Sequence, residues 1–308
     1  MSVTVVGSLN EDVLVAVDRL PGRGQTVVAR AAALAPGGKG ANQAAAAGLL
    51  GPGVHMVGRV GDDPAGARQL AALAGSRVDV GRVLRTPGVP TGTATIPVED
   101  GTGENLIVVV PGANAALAPA DVDVPSVRDA RVLLLQLEVP LDTVRAAAEH
   151  ATGTVVLTPA PPQPLPADLL GRVDLLVPNE HELVQLAGAQ PADRSATELV
   201  ALARAVTSGA VVVTLGARGA LLVPGDGGPA LHQAPPPVTA ADTTGAGDCF
   251  CGALAQALAA GAGQADAVRY AVTAAALSTT GPGARGALPD DDAVRAGLPR
   301  APAAVPVG

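Results

Sequence analysis

From Val132 to Leu215 the chain repeats short apolar runs and longer mixed stretches. Strands are predicted at Val132–Leu137, Thr154–Leu157, Leu175–Val177 and Val211–Leu215, and helices at Leu141–Ala151, Glu180–Ala187 and Ala196–Thr207. Strands that alternate with helices of this length bury both faces, which specifies an α/β fold with a doubly wound, mostly parallel sheet flanked by helices. Val3–Val6, Val54–Val60 and Leu221–Val223 add strands, and Pro64–Ala74 and Asp266–Thr279 add helices. Two segments break the rhythm. Val13–Val17 alternates and turns through Pro21-Gly22-Arg23-Gly24 into Thr26–Ala29, while Thr93–Val98 and Leu106–Val110 flank the turn-rich segment 99–104. Two hairpins, at about 13–35 and 92–110, imply a small separate β-sheet set against one domain of residues 1–298. The Pro/Ala-rich residues 299–308 are expected to fray.

Composition narrows the possibilities further. Aromatics make up 1% of 308 residues, Phe250 and Tyr270 alone, so the core must be built from alanine, valine and leucine. A net charge of −8 argues against a nucleic-acid surface and confines any phosphate site to a local pocket. No apolar run reaches the roughly 18 residues of a membrane span. Residues 1–12 lack a basic stretch and meet Glu11 and Asp12 early, unlike a signal peptide. Cys249 and Cys251 fall two apart on a predicted helix and face different ways, as packing residues in a reducing cytoplasm do.

Lys39 is the only lysine in the chain, and Asn10, Asn42, Asn105, Asn114 and Asn179 are the only asparagines. A chain so biased against both types retains them where the side chain itself is needed. Lys39 and Asn42 fall in Gly37-Gly38-Lys39-Gly40-Ala41-Asn42-Gln43, directly before a helical run at Ala44–Leu50. Its glycines allow close backbone approach while the lysine and asparagine supply donors. Asn10 and Asp12 follow the first strand, at the sheet edge where α/β proteins bind ligands.

The second organising stretch is Asp242-Thr243-Thr244-Gly245-Ala246-Gly247-Asp248, which opens a helix. Small residues at a helix start leave N–H groups free, and the helix dipole adds positive charge, so an anion can sit there. Asp248 stands one step further, placed to take a proton from a group lying against that seat; an acidic residue in a first turn also offsets the dipole. No phosphate-binding loop with the G-x-x-x-x-G-K-[ST] pattern occurs.

Taken in order, G-S-L-N-E-D at 7–12, G-G-K-G-A-N-Q at 37–43, G-E-N at 103–105, G-A-N-A-A-L at 112–117, Q-L-E at 136–138, P-N-E-H-E at 178–182, T-L-G-A-R-G at 214–219 and D-T-T-G-A-G-D at 242–248 resemble the ribokinase family of sugar kinases, from Val3 to about Pro289. The resemblance implies transfer of phosphate from ATP, with Mg²⁺, to a primary sugar hydroxyl, D-ribose 5-hydroxyl foremost. Fructose kinases are the neighbouring possibility, and a catalytically weak sugar-binding regulator the one outside enzymes. It implies that Asn10, Asp12, Gly38, Lys39, Gly40, Asn42 and Glu138 hold the sugar and that Asp248 is the base. Gly245, Ala246 and Gly247 would then stabilise the transferring group. Asn179, Glu182, Thr214, Gly216, Ala217, Gly219 and Gly247 fall to the nucleotide and its Mg²⁺. A K⁺ site is implied at Asp242, Thr244, Ser278, Gly281, Gly283 and Ala287. Two departures stand out: Val272 replaces a polar neighbour of the adenine, and Ala287 a serine near the cation. The hairpins correspond to a lid over the sugar that pairs two subunits into a homodimer. A nucleoside acceptor would want an aromatic in that lid, and none is present.

Overall fold

The computed structural model describes residues 2–307. Among the described residues fourteen strands run in chain order: β1 Val3–Val6, β2 Asn10–Val17, β3 Ala29–Gly37, β4 Val54–Gly61, β5 Val78–Thr86, β6 Gly92–Glu99, β7 Val108–Val110, β8 Val132–Leu135, β9 Thr154–Leu157, β10 Leu175–Leu176, β11 Ala210–Thr214, β12 Ala220–Val223, β13 Leu231–Gln233 and β14 Val305–Pro306. Ten of them form one sheet, in the order β14-β13-β12-β11-β10-β9-β8-β1-β4-β5. From β11 to β5 every pairing is parallel, and the β12, β13 and β14 edge is antiparallel. The doubly wound, mostly parallel sheet expected from the sequence is present.

β1 and β8 are buried along their whole length, as strands covered on both faces must be. Val3, Val5 and Leu134 join Ala44, Ala47, Cys249, Ala253 and Ala271 in one apolar cluster. Val6, Leu133 and Leu135 join Val144, Ala147, Leu183 and Leu199 in another. Residues of alternate parity therefore face opposite helix layers. The first layer holds the helices Lys39–Leu50, Ala246–Ala259 and Gln264–Ser278, and the second Leu141–His150, Glu180–Leu186 and Ala196–Val206. Both thiols are buried and free, and burial pushes each up to about 12, so they serve as packing groups.

The small sheet is also present, ordered β3-β2-β6-β7. Both expected hairpins are antiparallel, and they join through a parallel contact between β2 and β6. Three expectations need correction. The helix placed at Ala44–Leu50 starts at Lys39, so Lys39, Asn42 and Gln43 ride on its first turns. β5 escaped notice because it is a largely exposed edge strand carrying Asp79, Arg82 and Arg85, with no apolar run. The C-terminal residues do not fray: β14 pairs with β13, Arg269 donates to the Ala301 carbonyl at 3.1 Å, and Val307 N–H donates to the Ala230 carbonyl at 2.9 Å. Among the described residues no helix is long and apolar enough to cross a membrane.

Candidate active site

The C-terminal ends of four parallel strands lead into motifs singled out above, while 37–43 follows β3 of the small sheet and 242–248 follows the antiparallel β13. β1 runs into Ser8 and Asn10, β8 into Gln136 and Glu138, β10 into Asn179 and β11 into Gly216. The small sheet leaves the body here: Asn10 opens β2 and faces Gly37, which closes β3.

Gly38 initiates the first helix at φ 88°, and a Cβ there would lie 2.7 Å from the Asn10 nitrogen. Only glycine fits, and its conformation lets the helix begin against β1. The resulting N-terminus is capped from a distance. Glu138 Oε2 accepts from the Lys39 N–H at 3.0 Å and from Ser8 Oγ at 2.5 Å. Asn10 is fixed by Asn114, whose Nδ2 donates to Asn10 Oδ1 at 2.7 Å while its Oδ1 accepts from the Leu9 N–H at 2.9 Å. Asn10 thus retains its own amide N–H groups for a ligand.

Asp248 lies opposite, on the first turn of helix Ala246–Ala259. Its Oδ2 accepts from Asn42 Nδ2 at 3.1 Å and its Oδ1 from Gln43 Nε2 at 3.0 Å. Gln43 is itself oriented by Gln136, whose Nε2 donates to Gln43 Oε1 at 2.6 Å. Arg285 Nε donates to Asn42 Oδ1 at 2.8 Å. Lys39 sits among acids: Asp248 foremost, then Glu138 and Glu182, hold its ammonium above the usual lysine range against the opposing effect of burial. Burial pushes Asp12 up to about 6, with Arg285 and Lys39 opposing and Glu138 and Asp248 reinforcing.

The helix N-terminus beside Asp248 is open. Gly245 adopts the left-handed conformation, φ 74°, with no side-chain cap, and a Cβ on it would lie 2.8 Å from Ala284 Cα. The seat differs in one detail from expectation. Ala246 N–H closes a turn onto the Thr243 carbonyl at 3.2 Å, so Gly245 and Gly247 carry the N–H groups that have no protein partner among the described residues. From this seat a cavity of about 970 Å³ extends past Asn179, Thr214, Gly216, Ala217 and Gly219 to an apolar far wall of Pro235–Val238, Val272 and Ala276. Shape and lining suit a nucleotide, its phosphates at Gly247 and its base against the apolar wall.

Two assignments acquire a local role. Asn179 and Glu182 form a capping box: Glu182 N–H donates to Asn179 Oδ1 and Asn179 N–H to Glu182 Oε2, both at 2.8 Å. Asn179 lines the cavity; Glu182 does not, and burial raises its pKa. Asp242 ties two loops, accepting from the Thr244 N–H at 2.8 Å and the Gly283 N–H at 2.7 Å. Ser278 Oγ donates to the Ala275 carbonyl at 2.8 Å, and Ala287 lies against Gly281.

The model of the pfkB family of carbohydrate kinases matches residues 1–291. The chain belongs to that family. A ribokinase of Bacillus subtilis is 36% identical over 293 residues, covering 94% of this chain and 96% of that one. A deoxyribokinase of Salmonella typhimurium is 34% identical over 297 residues, covering 94% and 96%. Among solved structures, the Arabidopsis thaliana ribokinase complexed with ribose and ATP superposes with a TM-score of 0.84 at 34% identity, covering 96% of this chain and 98% of that one. As a member of the pfkB family this chain is a phosphotransferase that acts on an alcohol group. Asp12, Lys39 and Glu138 are not among the residues that line the long cavity. Sequence reasoning gave no role to four residues of the site, Gln43, Asn114, Gln136 and Arg285, although it marked Asn114 as a retained asparagine. The first three lay inside quoted motifs, but they orient residues that lie far off in sequence; Arg285 had no signal beyond its charge.

Proposed function

We propose that this protein transfers the γ-phosphoryl group of ATP to the 5-hydroxyl of D-ribose, giving D-ribose 5-phosphate and ADP. The observation that carries this reading is the position of Asp248. Its carboxylate, held by two amides, stands between the polar cluster and the open N–H groups of Gly245 and Gly247. Asp12, Asn10, Lys39 and Glu138 supply the paired acceptors and donors that neighbouring sugar hydroxyls require. Asp248 takes the proton of the attacking hydroxyl. The N–H groups of Gly245 and Gly247 lie where charge accumulates on the transferring group, and phosphoryl transfer asks the protein chiefly for positioning and electrostatics.

Mg²⁺ would be held by the phosphates with Asn179 and Glu182 nearby, and supplies charge neutralisation when bound. For K⁺, Asp242 brings the only carboxylate to a set of neutral oxygens at Thr244, Ser278, Gly281 and Gly283, a donor mixture suited to a large, weakly hydrated ion. Ala287 contributes no side-chain oxygen. The exposed apolar residues Leu34, Ile107, Val108 and Val109 on β3, β7 and the approach to β7 support pairing of two lids into a homodimer. Two buried free thiols suit a cytoplasmic setting.

ADP release coupled to an optical readout, run over ribose, 2-deoxyribose, fructose, adenosine and fructose 6-phosphate, tests the reading. Ribose should give the highest kcat/KM. A preference of tenfold or more for another sugar would reassign the substrate, and sugar binding with no ADP release would leave a regulator.

A further inference from the structure

Arg285 lies beyond helix Gln264–Ser278, 243 residues from Asn42 in sequence, yet its guanidinium enters the polar cluster. Nε donates to Asn42 Oδ1 at 2.8 Å, and Nη2 reaches the Gly37 carbonyl at 3.3 Å and Gln69 Oε1 at 3.4 Å. Nη1 is closed off from solvent without a partner. A charged donor left so costs stability, and an aliphatic side chain would fill the same space without that cost. The arrangement therefore points to a use in the site.

Two effects of Arg285 are separable. The amide of Asn42 has an accepting and a donating end. With Arg285 on Oδ1, the Nδ2 end must face Asp248; turned over, Asn42 would set one oxygen against another. The second effect is charge. Asp12 is faced by Glu138 from the segment after β8, by Asp248 from helix Ala246–Ala259, and by the cations Lys39 from helix Lys39–Leu50 and Arg285. Its neighbour Glu11 is already paired with Arg68. Arg285 brings a second cation to this group beside Lys39, and its charge opposes the rise that burial imposes on Asp12.

We propose that Arg285 is a positioning residue of the sugar site, which locks the Asn42 amide toward Asp248 through Nε and sets a second cation among the carboxylates there. This rests on the sugar-kinase reading above. The test compares Arg285→Met, Arg285→Gln and Arg285→Lys with wild type in kcat, in KM for ribose and for ATP, and in the pH profile of kcat/KM for ribose. Ribose binding without nucleotide is measured by calorimetry, and folding by thermal melting.

Arg285→Met should lose about 10- to 100-fold in kcat/KM for ribose, with KM for ATP within about twofold of wild type. Its acid limb should move up by roughly one pH unit. Arg285→Gln keeps a donor for Asn42 and should recover part of kcat while leaving the limb displaced. Arg285→Lys keeps the charge and should restore the limb but not kcat. Should Arg285→Met fail to fold, the Gln and Lys variants carry the comparison. Limbs coincident with wild type in all variants, or equal changes in the ribose and ATP constants, would overturn the proposal. A wild-type protein that phosphorylates no sugar would instead overturn the kinase reading on which it rests.

Discussion

Gln43 Nε2 donates to Asp248 Oδ1 at 3.0 Å, from the helix that begins at Lys39 to the helix that begins at Ala246. The contact joins the motif of the first helix to the motif at 242–248 and keeps the carboxylate aimed. Asp248→Asn should retain sugar and ATP binding and lose about 10²–10⁴-fold in kcat. Gln43→Leu, which removes the aim and also leaves the buried Gln136 Nε2 without its acceptor, should lose roughly tenfold and melt lower. Steady-state kinetics with calorimetric binding separate the two; an Asp248→Asn variant within a few-fold of wild type would remove Asp248 from the base role.

Gly245→Ala tests the anion seat. The left-handed backbone disfavours any Cβ, and this one would meet Ala284 at 2.8 Å. The variant should melt lower, by on the order of 1–3 kcal/mol, and kcat should fall more than KM for ribose rises. A variant with unchanged melting and kcat would show that the loop accommodates a side chain and that the seat is not built to that tolerance.

Asp12 links function to pH. Its folded-state pKa is raised from 3.8 to about 6, so the ionised form is disfavoured by folding. The sign follows: Asp12 costs nothing below pH 3.8, its cost grows between pH 3.8 and about 6, and it is full at neutral pH. Asp12→Asn should therefore raise stability at pH 7.5, by on the order of 1–3 kcal/mol, while raising KM for ribose at least tenfold. Denaturant titrations at pH 4 and pH 7.5 check it, the gain being confined to the higher pH. A destabilised Asp12→Asn at pH 7.5 would contradict the assignment.

The cation proposal predicts that rates at saturating MgATP and ribose are higher in KCl than in a bulky organic cation salt at equal ionic strength. Asp242 also ties Thr244 to Gly283, so Asp242→Ala should lose both the K⁺ response and part of the thermal stability. Equal rates in the two salts would sink the K⁺ site.

Pairing through the lid predicts a dimer at micromolar concentration by sedimentation equilibrium. Ile107, 61% exposed, and Val109, 43% exposed, are the residues to charge. Ile107→Glu should give monomers with unchanged folding of the main body. A wild-type monomer would refute the lid interface.

What could be read from the sequence, and what could not, follows one physical line. β1, β8 and β11 are continuous apolar runs and announce themselves, whereas β5 and β14 are exposed or proline-flanked edges whose pairing depends on a neighbour far away in the chain. The helix start at Lys39 was hidden because Gly38 and Gly40 oppose helix formation locally, and only the stacking of Gly38 and Gly40 against Ser8 and Asn10 compels it. In the site, Asp12, Lys39, Asn42, Glu138 and Asp248 were legible as motif residues. The partners that orient them were not, because Gln136, Asn114 and Arg285 act on residues 93, 104 and 243 positions away.

The solitary lysine has a practical corollary. Amine-directed reagents have a single side-chain target in this protein, and it lies inside the cluster of Asp248, Glu138 and Glu182. Those acids keep its nitrogen protonated and therefore sluggish as a nucleophile, so acylation of Lys39 reports on the local field as well as on access. The chain thus carries its own reporter group, and an acyl group located on the peptide that contains Lys39, as distinct from one on an α-amine, counts the molecules whose pocket was open.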